Sequence, residues 1–320
     1  MMKPLIILTG PTAVGKTDLS IRLAKAIGGE IISADSMQVY RHMDIGSAKI
    51  TKEEMDGIPH HLIDVLNPGE EFNVTVFQKM AREAVETIYS NGNIPIVTGG
   101  TGFYIQALIF DIDFTDQGED TSIRKELECL FDEKGSQYLH DILEKIDPVS
   151  AKEIHQNNRK RVIRAIEYFR QTGEKISEHN KRERQKESPY DFLYYVIQTD
   201  RDFLYQRINK RVDQMLLQGL VSEVEELKAM GCTKDMVSMQ GIGYKEILSY
   251  LNGTCSLEEA VEQLKQNTRH FAKRQITWFK REREVRNLYL PDYDNSQDKV
   301  LQRILLDIND LYGMEKKKWK

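Results

Sequence analysis

A glycine-rich segment near the start of the chain carries the strongest chemical signal. It matches the pattern G-x-x-x-x-G-K-[ST] at every fixed position, and its residues are Gly10, Pro11, Thr12, Ala13, Val14, Gly15, Lys16 and Thr17. Backbone N–H groups of such a loop surround phosphate oxygens, the lysine adds a positive charge, and the threonine hydroxyl is offered to Mg²⁺. The alternative is a chance glycine turn.

The residues on either side of this loop favour the phosphate site over a chance turn. Leu5–Leu8 is a short apolar run of the kind that forms a buried parallel strand. After the loop, Leu19, Leu23 and Ile27 recur every four residues and predict one apolar face of a helix. A strand, a glycine loop and a helix N-terminus together predict a site for a diphosphate or a longer phosphate chain.

Three further apolar runs predict strands of the same sheet, at residues 30–35, 94–98 and 193–197. A helical stretch at about 74–89 separates two of them, so we expect a parallel α/β sheet. Ligands of such sheets bind beyond the carboxyl ends of the strands. We therefore expect four features to meet at one edge: the glycine loop, Asp35 with Ser36, residues 98–101, and the loop after Ile197.

The domain organisation follows from the stretch in which strands and helices no longer alternate. Residues 114–189 are rich in Lys, Arg and Glu in helical patterns and predict an inserted helical domain. Residues 1–113 plus 190–290 form the catalytic core, with long helices at 203–228 and 257–284, and residues 291–320 form a helical tail. The predicted fold class is α/β, a P-loop NTPase-like parallel sheet flanked by helices, with the inserted helical domain.

Asp35 and an arginine pair are the candidates for chemistry beside the loop. Asp35 ends the second predicted strand and can accept a proton from an attacking nucleophile, or it can cap the following turn. Arg207 and Arg211 lie one helical turn apart, so their guanidinium groups suit a diphosphate leaving group. The alternative for the pair is surface ion pairing with Asp202 or Glu225.

The strand at 94–97 is followed by Thr98-Gly99-Gly100, with no acidic residue at its end. Enzymes that split ATP in this fold place an acidic residue there to help hold magnesium. We therefore expect the phosphate chain in the loop to be a leaving group rather than a phosphoryl donor.

Charge is unevenly distributed along a chain whose net charge is −5. Residues 159–186 carry ten Lys and Arg against four Glu, and residues 269–286 carry seven against two. Two basic segments on an acidic protein predict a localised surface for a polyanion, and the alternative is two solvated helix faces.

These motifs together resemble the tRNA dimethylallyltransferase (tRNA isopentenyltransferase) family over roughly residues 3–285. After the glycine loop, blocks similar to those of the family occur in order at 33–40, 46–49, 60–64, 98–104, 158–161, 240–245 and 268–279. The glycine loop is common to many nucleotide enzymes, whereas the blocks around Asp35 and at 268–279 are more specific to this family.

The resemblance implies transfer of a dimethylallyl group from dimethylallyl diphosphate to N6 of the adenosine just 3′ of a tRNA anticodon. Asp35 would take the proton from N6, Lys16 with Arg207 and Arg211 would stabilise the departing diphosphate, and Mg²⁺ would be held at Thr17. The target adenine would leave the anticodon-loop stack to reach the donor.

The resemblance also implies contacts to the anticodon stem-loop. A segment around Arg274 would line the nucleic-acid side, and the Gln38 amide can read a base edge. The residues implied to bind tRNA are Asp35, Ser36, Met37, Gln38, Thr101, Arg124, Arg159, Lys160, Arg161, Val162, Gln240, Gly241, Ile242, Gly243, Tyr244 and Lys245.

Two other functions remain open from the residues alone, a P-loop kinase of small molecules or nucleosides that uses ATP and an RNA-binding switch without turnover. Three widely separated cysteines predict a reducing cytoplasm and no disulfide framework, and no apolar run reaches the roughly 20 residues of a membrane span. We expect the chain to act as a monomer in the cytoplasm, with no membrane partner.

Overall fold

The computed structural model describes residues 3–114 and 122–313. In this part of the chain one parallel sheet has the strand order β3-β2-β4-β1-β5-β6. Its strands are β1 (Lys3–Thr9), β2 (Gly29–Ala34), β3 (His60–His61), β4 (Ile94–Gly99), β5 (Tyr190–Gln198) and β6 (Val285–Tyr289). The predicted parallel α/β sheet is confirmed.

Helices alternate with these strands and also fill the stretch between β4 and β5. The α-helices in the described residues are α1 (Lys16–Ile27), α2 (Val74–Ser90), α3 (Gly102–Ile109), α4 (Ser122–Ile146), α5 (Pro148–Glu153), α6 (Arg159–Thr172), α7 (Ile176–Glu183), α8 (Arg201–Leu217), α9 (Leu220–Ala229), α10 (Tyr244–Leu251), α11 (Leu257–Phe279) and α12 (Gln297–Tyr312).

The chain divides into two compact units, one of Met1–Ile109 with Pro189–Lys320 and one of Phe110–Ser188. The second unit is helical and has its own apolar core, to which Leu127, Leu139 and Ile166 belong. The first unit contains the whole sheet. The sequence set residues 291–320 apart as a tail, whereas the structure includes residues up to 313 in the first unit.

The core of the first unit explains where the last helix belongs. Ile6 and Leu8 of β1 and Leu23 of α1 are fully buried in one apolar cluster. Val300 and Ile304 of α12 belong to the same cluster and are equally buried. Each such side chain stabilises the fold by about 1.5–3 kcal/mol relative to an exposed one. The α12 helix is therefore an integral part of the core.

The register of the central strands brings their carboxyl ends together. Thr9, the last residue of β1, pairs with Gly99 at the end of β4. Gly99 also pairs with Ala34, the last residue of β2. The glycine loop, Asp35 and Gly100 each follow one of these three residues, so the predicted convergence at one sheet edge is confirmed.

Two predicted helices are wrong in extent. The single helix expected at 203–228 is divided into α8 and α9 at Gly219, which has a left-handed φ of 103°. The helix expected at 257–284 ends at Phe279, and the chain continues into strand β6 at Val285–Tyr289. Residues 280–284 are all charged, so no hydrophobic pattern in the sequence marks the change from helix to strand. No helix in residues 3–114 or 122–313 is long and apolar enough to cross a membrane.

Candidate functional site

The glycine loop has a backbone that side chains would disturb. Gly15 has a left-handed φ of 105° and leads into the first turn of α1. Gly10 has a φ of 152°, and a Cβ atom there would lie 2.5 Å from the carbonyl oxygen of Ile197. Both glycines are therefore needed for the loop to close over the end of β1 beside β5.

The Lys16 side chain forms hydrogen bonds with the backbone of this loop. Its Nζ donates hydrogen bonds to the carbonyl oxygens of Gly10 at 3.0 Å and Pro11 at 2.8 Å. Burial and, to a smaller extent, the charge of Arg211 lower the pKa of Lys16 to about 7, with Asp35 acting in the opposite direction. The Lys16 side chain therefore interacts electrostatically with Arg211 and Asp35, two of the three other charged groups that the sequence assigned to this site.

Asp35 is both a cap and a half-buried carboxylate. Its Oδ1 accepts hydrogen bonds from the backbone N–H groups of Met37 at 2.8 Å and Gln38 at 3.4 Å. Burial raises the pKa of Asp35, while these two bonds and the charge of Lys16 counteract the rise. The two sequence interpretations of Asp35 are thus compatible, and a raised pKa makes the carboxylate a stronger base.

The arginine pair lies beside the loop rather than in surface ion pairs. A Cβ atom at Gly15 would lie 3.7 Å from a terminal guanidinium nitrogen of Arg207. Burial lowers the pKa of Arg211, Arg207 lowers it further, and Glu54 opposes this. Among the described side chains, neither arginine forms an ion pair with Asp202 or Glu225. The two guanidinium groups and Lys16 thus concentrate positive charge at the loop.

The donor set fits magnesium only if the phosphate chain supplies most of the ligands. Thr17 is exposed in the first turn of α1. In the part of the chain that the structure describes, no group of three or more His, Cys, Asp or Glu side chains could form a metal site. Mg²⁺ is commonly held by substrate phosphates, waters and one or two protein oxygens, which the Thr17 hydroxyl fits.

The segment after Asp35 packs against the loop at 240–245. A Cβ atom at Gly241 would lie 2.4 Å from Cε of Met37. The Gln38 amide accepts from the Ser33 hydroxyl at 3.0 Å and donates to the carbonyl of Ala48 at 3.3 Å. Both ends of the amide are thus engaged with the protein, and a base could still use the second lone pair of Oε1. The structure therefore gives this amide a role in holding the backbone around Ala48.

Tyr244 requires a correction to its predicted contact with RNA. Its side chain is fully buried, and its hydroxyl donates to Glu223 Oε1 at 2.8 Å. The ring packs on Gly46, where a Cβ atom would lie 2.6 Å from Cζ. Gln240 and Lys245 at the ends of the segment are exposed. Tyr244 therefore supports this loop from inside, because no RNA atom can reach its side chain.

Glu223 is a site residue that sequence reasoning missed. Its carboxylate accepts the backbone N–H groups of Asp44 at 2.9 Å, Ile45 at 2.7 Å and Gly46 at 3.0 Å, in addition to the Tyr244 hydroxyl. Four donors to one carboxylate fix the loop at 44–46 against α9 and α10. The sequence carries no local signal of this, since these residues are far apart along the chain.

Gln275 is the second residue that was missed. Its Oε1 accepts the backbone N–H of Thr12 at 2.8 Å, and its Nε2 donates to the carbonyl of Gly100 at 3.0 Å. The side chain is 5% exposed. The available signal was a glutamine at a buried position of α11, three residues after buried Ala272, since a buried amide needs hydrogen-bond partners.

Thr101 lies where the sequence placed it, next to the sheet edge. Its backbone N–H donates to the carbonyl of Ala34 at 3.2 Å, and its own carbonyl accepts from Tyr104 at the start of α3. The loop before α3 is thereby tied to the end of β2, one residue before Asp35.

The residues of the second unit that the sequence predicts to contact tRNA differ in their exposure and in their ion pairs. Lys160 and Arg161 are exposed at the start of α6. Arg159 forms a two-pronged ion pair with Asp132, at 2.5 and 2.9 Å, and Arg124 donates to Glu167 at 2.7 Å.

Val162 is fully buried in the core of the second unit. Its side chain therefore presents no surface to RNA, and the predicted tRNA contact at Val162 is left to its backbone in the first turn of α6.

Comparisons with known proteins identify the family of this chain. A model of the IPP transferase family matches residues 38–282. A tRNA dimethylallyltransferase from Lachnoclostridium phytofermentans is 61% identical over 304 residues, which make up 95% of this chain and 97% of that protein.

Two crystal structures are similar along nearly the whole chain. One is a tRNA isopentenylpyrophosphate transferase from Bacillus halodurans, with a TM-score of 0.72 and 45% identity over 97% of this chain and 98% of that one. The other is a eukaryotic dimethylallyltransferase acting on tRNA, with a TM-score of 0.83 and 31% identity over 97% of this chain and 80% of that one. The resemblance inferred from the motifs is confirmed, and the chain belongs to the IPP transferase family of tRNA dimethylallyltransferases.

Proposed function

We propose that this protein transfers the dimethylallyl group of dimethylallyl diphosphate to N6 of the adenosine just 3′ of a tRNA anticodon. In this reaction the allylic C–O bond breaks, an N–C bond forms at N6, and diphosphate leaves. The observation that carries the proposal is the coupling of Asp35 to Lys16 at one sheet edge. It sets a base for the acceptor next to a cation for the leaving group.

The donor's diphosphate would bind in the glycine loop at the N-terminus of α1. Lys16 would exchange its bonds to Gly10 and Pro11 for bonds to phosphate oxygens. Arg207 and Arg211 would stabilise negative charge as the C–O bond breaks, which is the moment at which such groups accelerate a reaction. The Thr17 hydroxyl would help hold Mg²⁺, which supplies further charge neutralisation when bound.

Asp35 would orient the adenine and accept the proton from N6. An aromatic amine is a weak nucleophile because its lone pair is delocalised into the ring, so a positioned base helps. Oδ1 is held by Met37 and Gln38, and Oδ2 has no hydrogen-bond partner in the part of the chain that the structure describes. Oδ2 is therefore the atom we assign to proton transfer.

RNA would be bound by the exposed residues of the predicted set. These are Gln240 and Lys245 in the first unit, and Lys160 and Arg161 in the second. We further propose that the protein acts as a monomer in the cytoplasm. Its three cysteines are free, as a reducing compartment allows.

Mass analysis of nucleosides from an anticodon hairpin tests the proposed function. After incubation with dimethylallyl diphosphate and Mg²⁺, the adenosine 3′ of the anticodon should carry a dimethylallyl group in place of one hydrogen. A hairpin with guanosine at that position should stay unmodified. Transfer of labelled phosphate from ATP, without prenylation, would instead establish a kinase and overturn the proposal.

A further inference from the structure

The first residue of α12 reaches the glycine loop. Gln297 follows Ser296, whose side chain accepts the backbone N–H of Lys299 and so caps the helix. The Nε2 atom of Gln297 donates a hydrogen bond to the carbonyl oxygen of Gly15 at 3.3 Å. A Cβ atom at Gly15 would lie 2.8 Å from this nitrogen, so the amide packs directly against the loop backbone. A side chain of α12 is therefore in contact with the predicted phosphate site.

The start of α12 is held against the rest of the first unit. Asp298, the residue after Gln297, forms an ion pair with Arg22 of α1. Val300, one helical turn after Gln297, is fully buried in the apolar core that α1 also lines. The backbone at Gln297 cannot move away from the loop without breaking these contacts. Its side chain is therefore able to fix the position of another group.

The bond to Gly15 sets the direction of the peptide group that joins Gly15 to Lys16. In a trans peptide the C=O and N–H bonds point in opposite directions. The amide of Gln297 holds the Gly15 carbonyl on the side of α12, so the N–H of Lys16 points away from α12. N–H groups in the first turn of a helix have no partner within the helix and are the donors that bind phosphate. Gln297 thus orients one of these donors.

The oxygen of the same amide has no partner. Oε1 of Gln297 is buried and accepts no hydrogen bond from residues 3–114 or 122–313. Buried polar atoms are nearly always hydrogen-bonded in folded proteins, so an exception calls for a functional explanation. Nε2 faces a carbonyl oxygen, so the amide cannot turn over and exchange its two atoms without losing that bond. Oε1 is therefore an acceptor held ready for a donor that moves within the site.

The chemistry of the site identifies that donor. The oxygens of an ionised diphosphate accept hydrogen bonds, so the ligand itself cannot satisfy Oε1. A terminal guanidinium nitrogen of Arg207 lies 3.7 Å from the Cβ position at Gly15, the same position that Nε2 of Gln297 approaches. A guanidinium has five N–H donors, and a two-pronged contact with phosphate uses two of them. Arg207 therefore has N–H groups to spare for the amide oxygen while it binds an anion.

We propose that Gln297 is a positioning residue of the donor site, in which Oε1 accepts an N–H of Arg207 while other N–H groups of that guanidinium bind the diphosphate. Nε2 holds the Gly15 carbonyl at the same time, so one amide aligns both the loop and the arginine with the anion. A guanidinium that is already held at one edge loses less freedom on binding, which raises affinity. This inference rests on the proposed function, since it concerns the leaving group of the same reaction.

Titration calorimetry of the full chain with pyrophosphate tests the proposal. Gln297→Met keeps the length of the side chain and removes both hydrogen bonds, so it should weaken pyrophosphate binding about tenfold. The matched control is Asp298→Asn, which breaks the exposed pair with Arg22 at the start of α12 and leaves the amide in place. Its affinity should stay within about twofold of the wild-type value. Unchanged affinity in Gln297→Met, or an equal loss in the control, would overturn the proposal.

A double-mutant cycle with Arg207→Ala tests whether the amide acts through the arginine. In the Arg207→Ala protein, Gln297→Met should weaken pyrophosphate binding by only about two- to threefold, because only the bond to the Gly15 carbonyl is left to lose. The same tenfold loss with and without the Arg207 side chain would show that the two residues act independently. That result would remove the role assigned to Oε1.

Steady-state kinetics of prenyl transfer provides a readout that a merely structural role would not produce. Gln297→Met should raise the KM for dimethylallyl diphosphate about tenfold and leave the KM for the anticodon hairpin unchanged. Equal increases in both KM values would indicate a general loosening of the fold and overturn the assignment to the donor side. Pyrophosphate binding involves no chemistry, so a wild-type protein that binds pyrophosphate but does not prenylate the hairpin would count against the proposed function instead.

Discussion

The side-chain amide of Gln275 accepts a hydrogen bond from the backbone N–H of Thr12 at 2.8 Å. The same amide donates to the carbonyl of Gly100 at 3.0 Å. One buried side chain of α11 thus ties the phosphate loop to the segment that precedes Thr101. The donor and acceptor sides of the proposed site share this anchor, in addition to the pairing of Thr9 with Gly99.

Gln275→Leu should lower both stability and activity. The substitution leaves the N–H of Thr12 and the carbonyl of Gly100 without their partner, and each unsatisfied buried group costs about 1–3 kcal/mol. The free energy of unfolding, measured by urea denaturation, should fall by about 2 kcal/mol or more. Gln266→Leu, at an exposed position of the same helix, is the control. Equal stability of the two variants would contradict the assigned role of the amide.

Gly46→Ala should disturb the loop that Glu223 holds. The new Cβ atom would lie 2.6–2.9 Å from the buried ring and hydroxyl of Tyr244, which cannot move away without losing its bond to Glu223. We expect weaker RNA binding and a free energy of unfolding lower by about 1–3 kcal/mol. Gly69→Ala is the matched control, because nothing lies within 4 Å of a Cβ atom there. Normal RNA affinity in Gly46→Ala would show that this loop is not part of the acceptor site.

Lys16 should make diphosphate binding depend on pH. Its pKa of about 7 means that the free protein loses this charge as pH rises through 7. Diphosphate favours the charged form, so binding raises the pKa, and the affinity should be greatest below pH 7 and fall by up to tenfold per pH unit above it. Calorimetry with pyrophosphate at pH 8, in buffers of different ionisation enthalpy, should show uptake of about one proton by the protein.

The variant Lys16→Arg provides the control for that titration, because an arginine stays charged throughout this pH range. The protons taken up when Lys16→Arg binds pyrophosphate should be only those that the bound pyrophosphate itself takes up. The same uptake in the wild-type protein would mean that Lys16 is already charged at pH 8, contrary to the depressed pKa.

Local motifs made much of this molecule predictable. The glycine loop and the ends of β1, β2 and β4 are defined by short runs of sequence, and parallel strands necessarily bring such ends to one edge. The sequence could therefore predict that Asp35 and Lys16 lie at this edge. The family resemblance pointed to the loop at 240–245, but it did not indicate which side chains of that loop face inwards.

The parts that could not be predicted depend on contacts between distant segments. Glu223 accepts hydrogen bonds from backbone N–H groups at 44–46, and Gln275 accepts one from the N–H of Thr12. No local sequence pattern relates either side chain to its partners. The inward positions of Tyr244 and Val162 likewise follow from tertiary packing. Strand β6 was missed because a five-residue edge strand with one buried side chain has little hydrophobic signal.

The central claim is that Asp35 accepts the proton from the attacking nitrogen. Asp35→Asn keeps an oxygen that can accept the N–H of Met37, so the turn should remain folded. The variant cannot take up the proton, and general-base catalysis contributes about 10²–10⁴-fold. RNA affinity should stay within about threefold of the wild-type value, because the amide still fits the same space.

Single-turnover prenyl transfer by Asp35→Asn, followed across pH with saturating hairpin RNA and dimethylallyl diphosphate, tests this claim most directly. The wild-type rate should rise as pH increases through the pKa of Asp35, which burial raises above its usual range. The account predicts that the variant is slower by at least about 10²-fold and lacks this rise. A variant with a near-normal rate and an unchanged pH profile would contradict it.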